Sequence, residues 1–364
     1  MSSTQATPGR LAKAMLLLAP LPALIIAGSE WHFVIQRLDS LLRPIGSKFS
    51  ALSLGCALAI AAAAIALRHL RAGRRPTLRS LRRLLFPARL FRAASVRADL
   101  GFFLMNGIFT GSLVGWSLLS FPFVERAFAA ALTGVLGPPA GGAGGLFAVC
   151  AQTCIVFLTF EFAYYVDHYT SHRFDFFWEI HRVHHTAEVL TPLTLFRVHP
   201  LEAIKYHNIV VVMTAFASAL ACRWLGTSAW TVDGSNVLLV VFYLCVNHLQ
   251  HSHMWIAFRG PLGRILASPA HHQMHHSSDP AHAGRNLGWS LAVFDWAFGT
   301  LRVPAKRCEV ARFGVASGPT DHHTISGAFL MPIVRAFRTL GRGEAADAPA
   351  PAPEGAGSLA SGVG

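Results

Sequence analysis

EFAYYVDHYTSHRFDFFWEIHRVHH, residues 161–185, closes a long apolar run and carries five histidines. His168 and His172 stand four apart, and His184 and His185 follow His181 by three and four. On helices each set shares one face. Five imidazoles within eighteen residues at helix-face spacing are a presentation of metal ligands.

Two more clusters lie downstream, NHLQHSH at 247–253 and HHQMHH at 271–276. His272-x-x-His275-His276 repeats the pattern of His181-x-x-His184-His185. With a contribution from His248, His251 or His253, eight or more imidazoles are on offer, and a single catalytic zinc takes about three protein ligands. Two metals are the economical expectation. Imidazole suits iron, copper, nickel and zinc alike, so ligand type does not choose the metal. Buried without metal, each unsatisfied ring would cost about 1–3 kcal/mol. The isolated His32, His69, His207, His282, His322 and His323 read as ordinary hydrogen-bonding residues.

Of 364 residues 53% are hydrophobic and 13% charged, and mean hydropathy is +0.44. That excludes an ordinary soluble domain and predicts an all-α, polytopic membrane protein. Formal charge is +13, but ten arginines fall between Arg68 and Arg97, flanked by apolar runs. Membrane orientation and anionic lipid headgroups explain that run better than nucleic acid, which is not expected as a partner. The six cysteines form no CxxC pair and read as buried packing residues.

The predicted spans are a first helix from Met15 to Gly28 or Ile35, Ala51 to Leu67, Gly101 to Val124, and Leu146 to about Tyr165. A hairpin of two short apolar runs, Asn208 to Cys222 and Val237 to Val246, follows. Leu78, Leu81, Leu84 and Leu85 predict an amphipathic helix on the membrane surface. GPPAGGAGG before Leu146 reads as a flexible connection. The positive-inside rule puts the arginines, and with them every histidine cluster, on the cytoplasmic side of a bacterial inner membrane. The expected division is 1–99, N-terminal helices and arginine-rich segment; 100–305, catalytic membrane domain with a histidine-rich helical cap; 306–340, an extension; and 341–364, a disordered tail.

EFAYYVDHYTSH, EIHRVHH and SPAHHQMHH, in that order, resemble the fatty acid hydroxylase and sterol desaturase superfamily of integral membrane proteins. RVHPLE at 197–202, QHSH at 250–253 and RNLGWSLAVFDWAFGT at 285–300 support the likeness, which runs from about Leu100 to Thr300. The resemblance implies two iron ions held by His168, His172, His181, His184, His185, His272, His275 and His276, with a further histidine before the last box. By position His251 is the first choice and His248 the second, while His253 stands where relatives often carry asparagine. The implied reaction is hydroxylation or desaturation of a membrane lipid with O2 as co-substrate.

Carboxylates or carbonyls are expected behind the imidazoles to fix their tautomers. Glu161, seven residues before His168, and Asn286 are the candidates; His199 reads as structural or as a further such support. Phe174, Phe176, Phe177 and Trp178 read as packing anchors. The chain lacks a haem-attachment CxxCH, an iron–sulfur thiolate set and a GxGxxG. Electrons are therefore expected from a separate ferredoxin or cytochrome with its reductase. The rival readings are a zinc-dependent lipid hydrolase, disfavoured by the lack of HExxH, and a metal transporter, whose sites usually lie within the spans.

Overall fold

The computed structural model describes residues 29–110, 115–139, 141–142, 144–315, 323–324 and 326–341. The first apolar run through Gly28, His322 and the tail from residue 342 lie outside the described residues. Helix α1 (Ser29–Leu42) leads to α2 (Ala51–Arg71), whose first turn is capped by Ser50 accepting from the Ser53 amide and whose last turn carries Arg68, His69 and Arg71. Basic side chains there complement the carbonyl end of the helix. Ala57, Ala61 and Ile65, four apart, form one face of α2 and pack on Leu249 and Met254.

The expected amphipathic helix is α3 (Leu78–Leu85), started by a reciprocal Thr77–Ser80 capping pair. Leu81 and Leu85 lie on α2, whereas Leu78 is 83% exposed. Two short helices follow, α4 (Ala88–Arg92) and α5 (Ala94–Leu104).

The run from Gly101 to Val124 is not the continuous span expected. After α5 the chain takes a π-helical turn over Met105–Thr110, a short 3-10 turn over Gly115–Ser117, and a new helix, α6 (Phe121–Leu136). Asn106 explains part of the break, because its amide donates to the carbonyls of Phe196 and Val198, both at 2.7 Å. Pro122 lacks the amide a continuing helix needs and suits the first turn of a new one. The longest helix that this run feeds is therefore α6, which at 16 residues is about 24 Å long.

Two long helices carry the scaffold, α7 (Leu146–Arg173) and α9 (Pro200–Leu225), joined through the short α8 (Asp175–His185). With α2 they are, among the described residues, the three helices long and apolar enough to cross a bilayer. The arm expected as a short run over Asn208 to Cys222 is thus a full helix of 26 residues. Helix α6 lies along it: the Leu119 amide donates to Asn208 Oδ1 and the Leu119 carbonyl accepts from His207 Nε2. At the other end Arg223 donates to the Gly137 carbonyl at 2.9 Å. Gly142 in the glycine-rich connection meets the end of α9 so closely that a Cβ would lie 2.2 Å from the Trp224 carbonyl oxygen. That part of the connection is packed rather than loose.

A hairpin, β1 (Thr231–Val232) and β2 (Ser235–Asn236), turns through Asp233 and Gly234, both at positive φ. A two-residue turn of that hand matches strand twist. The return arm is α10 (Val237–Phe242), a π-helical segment Tyr243–Asn247 and a last turn His248–Gln250. An extended stretch then leads to α11 (Gly260–Ile265), α12 (Pro269–His275) and α13 (Val293–Ala297). Helix α14 (Met331–Leu340) packs on α8, where Arg335 pairs with Glu179 at 3.0 Å.

All six cysteines are free, and the expectation that they are buried is corrected: Cys150, Cys154, Cys245 and Cys308 are exposed and the others half-buried. On a helix facing lipid, an apolar thiol needs no protein cover.

Candidate metal centre

Helix α7 runs past the end of its apolar stretch and carries His168 and His172 on one face. Helix α8, set off by the break at Phe174, presents His181, His184 and His185. Helix α12 presents His272 and His275, with His276 as its closing residue. His251 comes from the turn after the return arm.

These nine residues gather as two sets, His168, His172, His181, His185 and His275 in one, and His184, His251, His272 and His276 in the other. Within each set the candidate ligand atoms all lie within 4.8 Å of one another. All nine are buried except His172, which is half-buried. The HxxHH pattern splits between the sets: its last two histidines point to different centres in both repeats.

Tautomers follow from acceptors that have no proton to give. Nδ1 of His168 donates to the Leu287 carbonyl at 2.7 Å, Nδ1 of His275 to that of Arg285 at 3.0 Å, and Nδ1 of His184 to that of Arg197 at 3.2 Å. Nδ1 of His181 bonds the Glu202 carboxylate. Each of these rings therefore turns an Nε2 lone pair inward. The Nε2 atoms of His168, His172 and His275 are buried with no protein partner among the described residues.

In the four-histidine set, Nε2 contacts run from His184 to His251 at 3.2 Å, His251 to His272 at 2.9 Å and His272 to His276 at 3.0 Å. A ring nitrogen offers either one proton or one lone pair, so His251 and His272 cannot satisfy two such neighbours by hydrogen bonding. A cation between the rings satisfies all four at once. The donor set, nitrogen throughout, fits a first-row transition metal.

Burial and neighbouring imidazoles push His184 and His275 down to about 3. Burial, with a smaller push from Lys205, drives His181 to about 3 against the opposing charge of Asp167. His185, His251, His272 and His276 are held well below the usual histidine range by burial first and by nearby imidazoles second. The neutral form is the one that binds metal.

His248 lies apart from both sets. Ser53 Oγ donates to the Ser50 carbonyl at 2.8 Å, so it accepts from His248 Nε2 at 2.8 Å. His253 bonds the Leu84 carbonyl on the amphipathic helix. Glu161, fully buried, accepts from the amides of Ser290 and Leu291, both at 3.0 Å. It touches no imidazole but anchors the loop whose Leu287 carbonyl holds His168. Asp295 grips the same loop through the amides of Leu287 and Gly288. Asn286, at positive φ, donates to the carbonyls of His271 and Arg302, one residue away from His272.

Three supports escaped the sequence reading. Glu202 sits in the first turn of α9 inside RVHPLE and reaches His181. Trp178 packs at a tilt against His172 and His185, with centroids at 5.1 and 5.4 Å. Arg197, fully buried, pairs with Asp99 at 2.6 Å and bonds Thr186 Oγ1 and the Ser95 carbonyl while its own carbonyl holds His184. The one available signal was an acid just after His199 at a helix start; the other two contacts depend on tertiary packing.

An apolar cavity of about 600 Å3 is walled by Leu58, Phe91, Leu100 and Leu193, with His248 and Ser252, which bracket His251 in the chain, among its few polar residues.

Nine histidines gathered into two sets at the ends of apolar helices form a candidate site for two metal ions. Residues 153–300 match the family model described as fatty acid hydroxylase. Among similar proteins, alkylglycerol monooxygenase of Danio rerio is 27% identical over 155 residues, covering 40% of this chain and 30% of the relative. The protein of that name from Homo sapiens is 29% identical, over 40% of this chain and 29% of its own length. That from Caenorhabditis elegans is 25% identical, over 39% and 25%. The matched part thus spans less than a third of each of these relatives. No solved structure matches the chain.

Proposed function

We propose that the protein oxidises a membrane lipid with O2, by hydroxylation or desaturation, at two iron ions held by the five- and four-histidine sets. The observation that carries this reading is the convergence of nine histidine rings, eight buried and one half-buried, on two points. Bound there, the irons would supply the activation of O2 that an unreactive C–H bond requires. The chain's own residues fix where that happens. Glu202 and the carbonyls of Leu287, Arg285 and Arg197 hold four imidazoles in the ligating tautomer. The apolar cavity lined by His248 and Ser252 would take a lipid chain and exclude water.

The two sets lie at the ends of the long helices, in this reading on the cytoplasmic face, where a separate ferredoxin or cytochrome with its reductase would deliver electrons. The arginine-rich segment would rest on anionic headgroups. Fatty acyl, sterol-like and ether lipids all fit an apolar wall, and an alkylglycerol, from the name of the relatives, is the first lipid to try.

The test is elemental analysis of the detergent-purified protein with oxygen uptake on added lipid. About two irons per chain, lost in His184→Ala/His275→Ala, with lipid-dependent uptake support the reading. Stoichiometric zinc that persists under iron loading, with no uptake, would replace it with zinc-dependent hydrolysis.

A further inference from the structure

A second opening, a cleft of about 420 Å3, lies away from the metal ligands between α6, α7, α9 and the return arm. Tyr206, Tyr243, Val156 and Phe160 are among the residues that line it. The distinctive group is Glu125 of α6, the only acidic or basic side chain among the lining residues, histidine aside. Glu125 Oε1 accepts from Ser218 Oγ at 2.5 Å, and Ser218 accepts in turn from Gln152 Nε2 at 3.0 Å. No cation pairs with Glu125 among the described residues. Gln152 Oε1 is buried with no partner among them either.

Ser218 lies 19 residues beyond His199, about 28 Å along α9, and 7 residues, about 10 Å, short of Leu225. The half-buried carboxylate therefore meets α9 about 10 Å inside its far end, within the length of an apolar helix, where a polar group needs a partner. Among the wall's polar side chains, which include hydroxyls and amides that can donate, the Glu125 carboxylate is the group that only accepts, so it selects a donor. A full positive charge would have to be stripped of water to reach that depth, whereas a hydroxyl carries a donor at far lower desolvation cost.

We propose that this cleft binds an amphiphilic lipid through a hydroxyl that donates to Glu125, with its apolar body along Val156 and Phe160 toward Tyr206. The site is separate from the cavity lined by His248 and Ser252 and does not depend on what the metal centre does.

The test is photolabelling of the full chain in phosphatidylcholine nanodiscs. The probes are a diazirine-tagged long-chain alcohol, its methyl ether and the matching amine. The alcohol is expected to label peptides spanning 156–160 or 206–218, and the ether about tenfold less, the loss of one hydrogen bond to a charged group. Glu125→Gln keeps an acceptor for Ser218, so its melting temperature should hold while alcohol labelling drops about tenfold. Equal labelling by alcohol and ether, undiminished labelling of Glu125→Gln, labelling by the amine alone, or label confined to 54–61 would each overturn the proposal. Because labelling consumes no O2, a lipid oxidation that failed would leave this result standing, and the reverse.

Discussion

The Glu202 carboxylate, in the first turn of α9, holds the Nδ1 proton of His181, a ligand candidate twenty-one residues earlier on α8. An acceptor there fixes the ring's orientation and raises the basicity of the nitrogen facing the metal. Glu202→Ala is expected to weaken metal binding at the five-histidine set about 10–100-fold. Competition with a graded chelator, followed by elemental analysis, measures this; unchanged retention would remove Glu202 from that role.

The separation of His251 from His248 yields a contrast. His251→Ala should lower metal content toward about one ion per chain, since it strips the four-histidine set to three. His248→Ala should leave metal content intact, because His248 bonds Ser53 and belongs to neither set. Equal metal loss in both variants would show that the Ser53 contact is not the resting place of His248.

Asp99 and Arg197 are both fully buried and bonded at 2.6 Å. Asp99→Ala leaves a guanidinium in the interior without its counter-charge, which costs about 3–5 kcal/mol. The expected readout is a large drop in melting temperature in detergent, far beyond that of an exposed control such as Asp39→Ala. Similar melting of the two variants would deny the pair its structural weight.

Acid should destabilise the metal-free protein. His181, His184 and His275 lie near 3 when folded against an ordinary 6.5. Between those values the unfolded chain binds more protons, so stability is present above about pH 6.5 and is lost as pH falls toward 3. Melting of chelator-treated protein at about pH 8 and about pH 5 checks the sign; greater stability at the lower pH would refute it.

Neutralising Arg74, Arg75, Arg82 and Arg83 together should weaken binding to anionic vesicles by about 1 kcal/mol per arginine while leaving metal content unchanged. Vesicle flotation beside elemental analysis separates the two. Metal loss in a correctly inserted variant would tie the arginines to the centre instead.

What was legible in the sequence was local. Histidines three and four apart needed only helix geometry to be placed on common faces, and the apolar run before His168 needed only length. What failed was continuity: the run from Gly101 to Val124 looks unbroken by hydropathy, yet the reach of Asn106 to Phe196 and Val198, ninety residues away, helps interrupt it. The allocation of His184 and His185 to opposite centres was equally hidden, because it is set by how α8 lies against α12. Glu161 was visible as an acid within an apolar span, but its partners, two backbone amides of a distant loop, were not.

Arg197 has a bearing on where this protein could be cut. The likeness to hydroxylases begins at residue 153, yet the side chain that steadies the His184 carbonyl contact is itself clasped by Ser95 and Asp99. A fragment trimmed to the matched boundary would keep every candidate ligand and lose the counterpart of that guanidinium. The ancestry of the module and its unit of folding therefore have different edges, and grafting the histidine boxes onto another scaffold would require carrying along a helix that the family likeness leaves out.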